Sequence, residues 1–206
     1  MKIVIVDYGS GNLRSVQKGF EKGGYSAVIS SRPDVVSEAT HLVVPGVGAF
    51  SECMKNLAQL RLLKPIKQAI TGGKPYLGIC LGLQILFTEG EEFGSFPGLD
   101  IIPGKVVRFP EGHLKVPHIG WNQIHIEKET HCLAGIPQQA YFYFVHSYYG
   151  LPKEETKEKN CVVTTTDYGI SFPSAIARDN IFACQFHPEK SQAMGLKILS
   201  NFASQK

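Results

Sequence analysis

The sequence predicts an α/β fold in three layers. A mostly parallel central sheet is flanked by helices, with an antiparallel or mixed extension built from the middle of the chain. Three observations predict it. Toward the N-terminus, short β-branched runs alternate with segments of helical spacing, the pattern of parallel strands joined by right-handed crossovers. The first run, "KIVIVD", is apolar at successive positions, as in a strand covered on both faces. In the middle, "KVVRF", "VPHIGWNQIHI", "AYFYFVHSYYG" and "NCVVTTTDYG" follow one another with turn residues and no helical pattern between them.

The elements follow in order. "KIVIVD" is the first strand, broken by "YGSGN". Leu13, Val16, Gln17 and Phe20 then fall at helical spacing, with Asn12 as N-cap and Gly23-Gly24 as the stop. "YSAVIS" is a second strand, and "THLVVPG" a third, ended by Pro45-Gly46. The spacing predicts a helix from Leu57 to Ile70, stopped by Gly72-Gly73. "KPYLGI" is a fourth strand that runs straight into Cys80, with an apolar helical run beyond it. After the strand-rich middle, "ACQF" is the last core strand. Met194, Ile198, Leu199 and Phe202 mark a final amphipathic helix, and "KEETKEKN" (Lys153 to Asn160) reads as a solvated loop.

Composition narrows the function classes. The chain has 206 residues, 43% hydrophobic and 19% charged, so one domain spanning 1–206 with a full core is expected. The net charge is +3 with scattered lysines and arginines. No basic run tracks a phosphate backbone, so no nucleic-acid partner is expected. "MKIVIVDYG" has four apolar residues before Asp7, too few for a signal peptide, and no apolar run approaches the roughly 18 residues that span a bilayer. The expectation is a soluble cytoplasmic protein with no membrane partner. The five cysteines (53, 80, 132, 161 and 184) are odd in number and lack a CxxC spacing, which argues against a disulfide framework or a zinc knuckle. "DYGSGN" has G-x-G, but Arg14 stands where a nucleotide loop needs its third glycine. Neither cofactor nor metal is expected.

The chemistry centres on "GICLG". A Gly-x-nucleophile-x-Gly turn between strand and helix is the elbow of α/β hydrolases, and small residues two before and two after let the chain fold sharply. Cys80 then sits at a helix N-terminus, where backbone N–H groups and the helix dipole favour the thiolate. The N–H of Leu81 would point where an oxyanion forms. A buried structural cysteine is the competing reading. The strand before and the helix after bring the nucleophile level with that reading, and the choice stays open on this motif alone.

A thiol nucleophile needs a base. Of seven histidines, His187 follows an apolar strand, and catalytic groups in open parallel sheets gather at the strands' carboxyl ends. Glu189, two residues on, is placed to orient the imidazole as the third member of a triad. His118 and His146 compete on spacing. In "VVPGVGAF", Gly46 and Gly48 free the backbone to present N–H groups to an oxyanion, or simply turn the chain.

"PGVG", "GICLGLQ" and "HPEKS", in this order and spacing, resemble the class I (triad) glutamine amidotransferases. "DYGSGNLRSV", "HIGWN" and "FYFVHSYY" narrow the resemblance to the branch serving histidine biosynthesis. It covers the chain from Asp7 to the final helix, and Ser10 stands where relatives vary. The resemblance implies that Cys80 attacks the side-chain amide of L-glutamine, His187 shuttles the proton and Glu189 holds the imidazole. It implies an oxyanion site at Leu81 with Val47 or Gly48, and substrate contacts from Gly46, Gln84, His146, Ser147 and Tyr148. It also implies a heterodimer with a (β/α)8-barrel cyclase, which joins the ammonia to a phosphoribulosyl ribonucleotide and makes imidazole glycerol phosphate. Asn12, Trp121, Tyr143 and Lys190 match that interface. Trp121 reads as interface rather than core because "HIGWN" is polar-flanked and lacks helical or strand periodicity. Finally, the resemblance implies low activity without the cyclase and an oxyanion segment that switches conformation. The glycines flanking Val47 make such a peptide flip easy. Rival readings are the glutaminase of another synthase and a cysteine hydrolase or peptidase on a similar sheet.

Overall fold

The structure is a computed structural model that describes residues 1–112, 114–153 and 161–205. The solvated loop expected at Lys153–Asn160 lies, from residue 154 on, outside the described residues.

The order of elements explains where the site forms. Strand β1 (Ile3–Val6) leads to α1 (Leu13–Lys22), β2 (Ala27–Ser30), the short α2 (Pro33–Ser37) and β3 (His41–Gly46). Helices α3 (Phe50–Gln59) and α4 (Leu63–Thr71) precede β4 (Tyr76–Cys80), which ends on the elbow. A single helical turn, α5 (Leu81–Gln84), is followed by β5 (Phe87–Gly90), β6 (Phe96–Pro97) and β7 (Ile102–Arg108). Then come β8 (His118–Gln123), β9 (His125–Ile126), β10 (Tyr141–His146), β11 (Tyr148–Pro152), β12 (Val162–Asp167), β13 (Ser171–Arg178), β14 (Ile181–Cys184) and α6 (Gln192–Ala203).

Among the described residues the main sheet runs β2-β1-β3-β4-β14-β13-β12-β9. Its first five strands are mutually parallel, and β13, β12 and β9 continue it antiparallel. The predicted α/β class and its mixed extension are therefore present. Two smaller sheets, β11-β7-β5-β6 and β10-β8, stand beside it.

The apolar runs do what their composition requires. Every residue of β1 and β3 is buried, and alternate side chains enter opposite core layers. Ile3, Ile5 and Val43 join Val16 and Phe20 of α1 and Ile198, Leu199 and Phe202 of α6 on one face. Val4, Val6, Leu42 and Val44 join Phe50 and Leu57 of α3 and Ile66 and Ile70 of α4 on the other. Each such side chain contributes about 1.5–3 kcal/mol by leaving water. Among the described residues no helix is long and apolar enough to cross a membrane.

Four local readings need correction. The helix expected from Leu57 to Ile70 is two helices, α3 and α4, separated at Arg61, which takes a left-handed φ of 59° without being glycine. The run after Cys80 is one turn before the chain becomes strand again. "AYFYFVHSYYG" is not one strand: it divides at Ser147 between β10, paired with β8, and β11, paired with β7. "HIGWN", read as lacking strand periodicity, lies in β8 and pairs antiparallel with β10. Asn12 does occupy the N-cap position of α1, but its side chain makes no capping hydrogen bond.

Candidate active site

Cys80 is the last residue of β4, and its backbone takes φ 54° and ψ −104°. Non-glycine residues rarely hold such angles, and they persist only where the surroundings enforce them. Here the enforcement is backbone on backbone. A Cβ on Gly82 would lie 1.7 Å from the carbonyl oxygen of Val44, and one on Gly78 would lie 2.4 Å from the carbonyl oxygen of Gly82. The two glycines of the elbow are thus required by close approach to β3 and to each other. The buried Tyr76 hydroxyl donates to the Gly82 carbonyl at 2.7 Å and pins the turn from below. Gly82→Ala is expected to cost about 3 kcal/mol, the upper end for forcing atoms into a packed interior. That is roughly a 6–12 °C fall in Tm for a chain of this size, readable by thermal unfolding.

Sheet order carries the other groups to the same edge. Gly46 at the end of β3 stands in register with Cys80, and Cys184 near the end of β14 stands opposite Ile79. Three carboxyl ends therefore present Val47, Cys80 and the segment to His187 side by side. The first two border a cavity of about 400 Å³ lined by Val47, Gly48, Ala49, Cys80, Leu81, Gln84, Glu92, Pro117, Val145, His146, Ser147 and Tyr148, while His187 and Glu189 are not part of that lining. Of the residues expected to hold the oxyanion or substrate, Val47, Gly48, Leu81, Gln84, His146, Ser147 and Tyr148 all reach it. Gly46 does not. It lies behind, where an added Cβ would meet the Tyr8 hydroxyl at 1.7 Å.

His187 and Glu189 are buried, each side chain 2% exposed, with Nδ1 of the imidazole 2.8 Å from Oε1 of the carboxylate. Burial works to lower the His187 pKa, but hydrogen bonding and charge from Cys80 and Glu189 outweigh it and raise the pKa to about 10. The balance favours the protonated ring. Its Nε2 makes no hydrogen bond of strict geometry, although Cys80 is close enough to contribute to the raised pKa. Catalytic hydrogen bonds are often long until substrate is bound.

The competing histidines separate cleanly from His187. His118 Nδ1 lies 3.2 Å from His146 Nε2, and His146 Nδ1 lies 2.8 Å from the Tyr148 carbonyl. Burial lowers His118 to about 4 and His146 to about 3, so both are neutral. The remaining cysteines are buried in the core. Burial pushes Cys53 and Cys132 up to about 12 and raises Cys184 well above the ordinary thiol value, which makes them packing residues rather than nucleophiles.

The oxyanion candidate has an internal restraint. Gly48 takes φ 103°, and the Val47 carbonyl accepts a 2.6 Å hydrogen bond from the Ser10 hydroxyl. In a trans peptide the Gly48 N–H then points away from Ser10. Two groups escaped the sequence reading. Glu92 lines the cavity from the loop after β5. Gln185, just past β14, donates through Nε2 to the Cys80 sulfur at 3.4 Å. Glu92 carries no sequence signal. Gln185 carries a weak one, a buried amide at the end of an apolar strand.

The four interface candidates are at the surface or partly so. Trp121 is 46% exposed, and its ring lies 6.2 Å from that of Tyr143, its cross-strand neighbour. Lys190 Nζ stands 5.4 Å from the Tyr143 ring centre. Asn12, also exposed, opens α1. The Tyr143 carbonyl accepts from the His187 N–H at 2.9 Å, which ties this patch to the backbone of the base.

Comparison with known proteins extends the geometry. The sequence model of the family "Glutamine amidotransferase class-I" matches residues 4–206. The imidazole glycerol phosphate synthase subunit HisH of Geobacter sulfurreducens is 53% identical over 211 residues, covering 100% of this chain and 99% of its own. That of Syntrophotalea carbinolica is 55% identical over 206 residues, covering 97% and 98%. Among solved structures, a glutamine amidotransferase superposes with TM-score 0.73 at 18% identity, covering 97% of this chain and 98% of its own. PurLQS from Thermotoga maritima superposes with TM-score 0.74 at 15% identity, covering 98% and 97%. At such identities these two speak for the fold alone. An elbow cysteine beside a buried His–Glu pair is shared by several enzyme classes, and full-length identity above one half decides among them: the chain belongs to the class-I glutamine amidotransferases, in the family of the imidazole glycerol phosphate synthase subunit HisH.

Proposed function

We propose that residues 1–206 act as one glutaminase domain in which Cys80, His187 and Glu189 hydrolyse L-glutamine to glutamate and ammonia. The observation that carries this reading is the buried 2.8 Å His187–Glu189 pair beside a cysteine held in strained backbone at the cavity wall. The Cys80 thiolate attacks the side-chain amide carbon, and negative charge develops on the amide oxygen. The N–H of Leu81, with that of Val47 or Gly48, receives it in this reading. The His187 imidazolium gives its Nε2 proton to the departing ammonia, which leaves a glutamyl thioester. Water then attacks the thioester, with neutral His187 as base, and glutamate leaves as the thiolate returns. Glu189 keeps the ring oriented and its positive charge balanced throughout.

The cavity suits the amino-acid end of glutamine. The two amide hydrogens of Gln84 are engaged by the Tyr148 carbonyl at 2.9 Å and Gln185 Oε1 at 3.0 Å. Gln84 therefore meets substrate with its oxygen, as an acceptor. Glu92 supplies a carboxylate for the α-ammonium group.

In this reading the ammonia passes to the cyclase subunit of imidazole glycerol phosphate synthase, a (β/α)8 barrel paired with this chain as a heterodimer in histidine biosynthesis. Trp121, Tyr143, Lys190 and Asn12 form its docking surface. The Ser10–Val47 hydrogen bond holds the oxyanion peptide in one orientation until the loaded cyclase releases it. The test is ammonia release from glutamine by the chain alone, then with the cyclase and its ribonucleotide ligand. Low activity alone that rises steeply with the loaded partner supports the reading. Equal activity in both conditions removes the assigned pathway. Trp121→Ala is expected to weaken cyclase binding by about 2 kcal/mol or more, the cost of a buried aromatic anchor, measured by titration calorimetry. Its thermal stability should stay within about 0.5 kcal/mol of wild type, because the side chain is exposed.

A further inference from the structure

Gln185 does more than orient Gln84. This side chain is fully buried, two residues before His187, with its backbone N–H donating to the Ser174 carbonyl at 2.8 Å. A buried amide has to find partners for its polar atoms. Gln185 finds two: Oε1 accepts from Gln84 Nε2 at 3.0 Å, and Nε2 donates to the Cys80 sulfur at 3.4 Å.

The sense of that amide is fixed by the backbone. A carbonyl oxygen can only accept, so at the Tyr148 carbonyl the Gln84 group within 2.9 Å has to be the NH2. The second hydrogen of that nitrogen meets Gln185, which has to answer with its oxygen. The Gln185 NH2 is then left facing sulfur. Turning the Gln185 amide over would set NH2 against NH2 on one side and oxygen against sulfur on the other.

We propose that Gln185 is a catalytic residue that holds the Cys80 sulfur as the thiolate through an N–H···S hydrogen bond, its donor sense imposed by the Tyr148 carbonyl through Gln84. Hydrogen bonds to ionised groups are roughly twice as strong as those between neutral groups. A thiol sulfur is a weak acceptor and a thiolate a strong one, so the contact acts selectively on the ionised state. It supplies what the single turn of α5 is too short to supply by its dipole. His187 keeps the imidazolium partner and Gln185 keeps a neutral donor on the same sulfur. The proposal rests on Cys80 being the nucleophile.

The experiment follows alkylation of Cys80 by iodoacetamide against pH in the full-length chain, with the modified residue identified by mass spectrometry. Gln185→Met removes the donor at similar volume, and Gln185→Glu keeps the shape but puts a second anion beside the sulfur. The alkylation midpoint is expected to move up by about one pH unit in Gln185→Met, a tenfold change in the thiolate equilibrium, and further in Gln185→Glu. Ammonia release should fall at least tenfold. Folded variants with unchanged midpoint and turnover would overturn the assignment. If neither variant folds, the wild type decides. The side-chain amide resonance of Gln185 in 15N-labelled chain is expected to titrate with the same midpoint as Cys80 alkylation, and an amide blind to that ionisation removes the contact. Cys80→Ser with full ammonia release would instead sink the nucleophile assignment, an outcome separate from either Gln185 result.

Discussion

Cys80→Ser is expected to abolish ammonia release from glutamine, with kcat falling by a factor of about 10⁴ or more, the scale seen when a catalytic nucleophile is removed. The reason lies in how the site is charged before substrate arrives. His187 sits with its pKa raised to about 10, against its own burial, because Cys80 and Glu189 surround it. A serine hydroxyl is a far weaker acid than a thiol, so the variant lacks the group proposed to attack the amide. The fold should not change. Position 80 is 5% exposed, oxygen replaces sulfur with little change of volume, and the backbone strain belongs to the elbow rather than to the side chain. Two measurements check the result: coupled detection of glutamate, and thermal unfolding within about 1 °C of wild type. In the complex, the cyclase reaction supplied with free ammonia should continue at its normal rate.

Glu189→Gln is the second large effect. The carboxylate accepts from Nδ1–H at 2.8 Å, which fixes the tautomer of the neutral ring and leaves Nε2 as its free nitrogen. A glutamine can turn its NH2 to Nδ1 and invert that tautomer, and losses of about 10³–10⁴ in kcat follow such inversions in hydrolytic triads. The variant also removes a charge that supports the imidazolium, so its proton should leave at lower pH. For stability the sign is fixed. A histidine whose folded pKa lies above its unfolded value of about 6.5 contributes fully below pH 6.5. The contribution drains away as pH rises toward about 10. The wild type should lose stability across that window, and Glu189→Gln should show a flatter profile there. Denaturant midpoints measured from pH 6 to 10 read this directly. A profile identical to wild type would mean that Glu189 does not support the charge.

The sequence showed the parallel half of the sheet because its strands are buried on both faces, and such strands have few choices of residue. It showed the elbow and the His-x-Glu pair because each is a short motif whose spacing is its geometry. What it concealed was decided by contacts between distant segments. The break between α3 and α4 falls at the exposed Arg61, whose left-handed backbone is closed by the Leu62 N–H donating to the Leu57 carbonyl at 2.8 Å, and no glycine announces it. The division of Tyr141–Pro152 between two sheets turns on Ser147, which has no turn signature. Gln185 was unreadable for a different cause. Its role depends on an amide chain that passes through residues 84 and 148, and no local pattern encodes the direction of that chain. Trp121 reached the surface despite the reasoning that put it there. "HIGWN" is a strand, and the tryptophan is exposed because it shares the outward face of β8 with Ile119, which is exposed as well.

The elbow also decides which lesions in this chain can be repaired. Most packing errors admit a suppressor, since a crowded side chain can be met by a smaller one elsewhere. At Gly82 and Gly78 the obstructing atoms are the carbonyls of Val44 and of Gly82 itself. Every amino acid carries the same carbonyl, so no substitution at position 44 opens the space. Damage there is beyond rescue by any single replacement along the contact. Cys80 is thus mounted on a part of the molecule that can be lost by mutation but not adjusted by it.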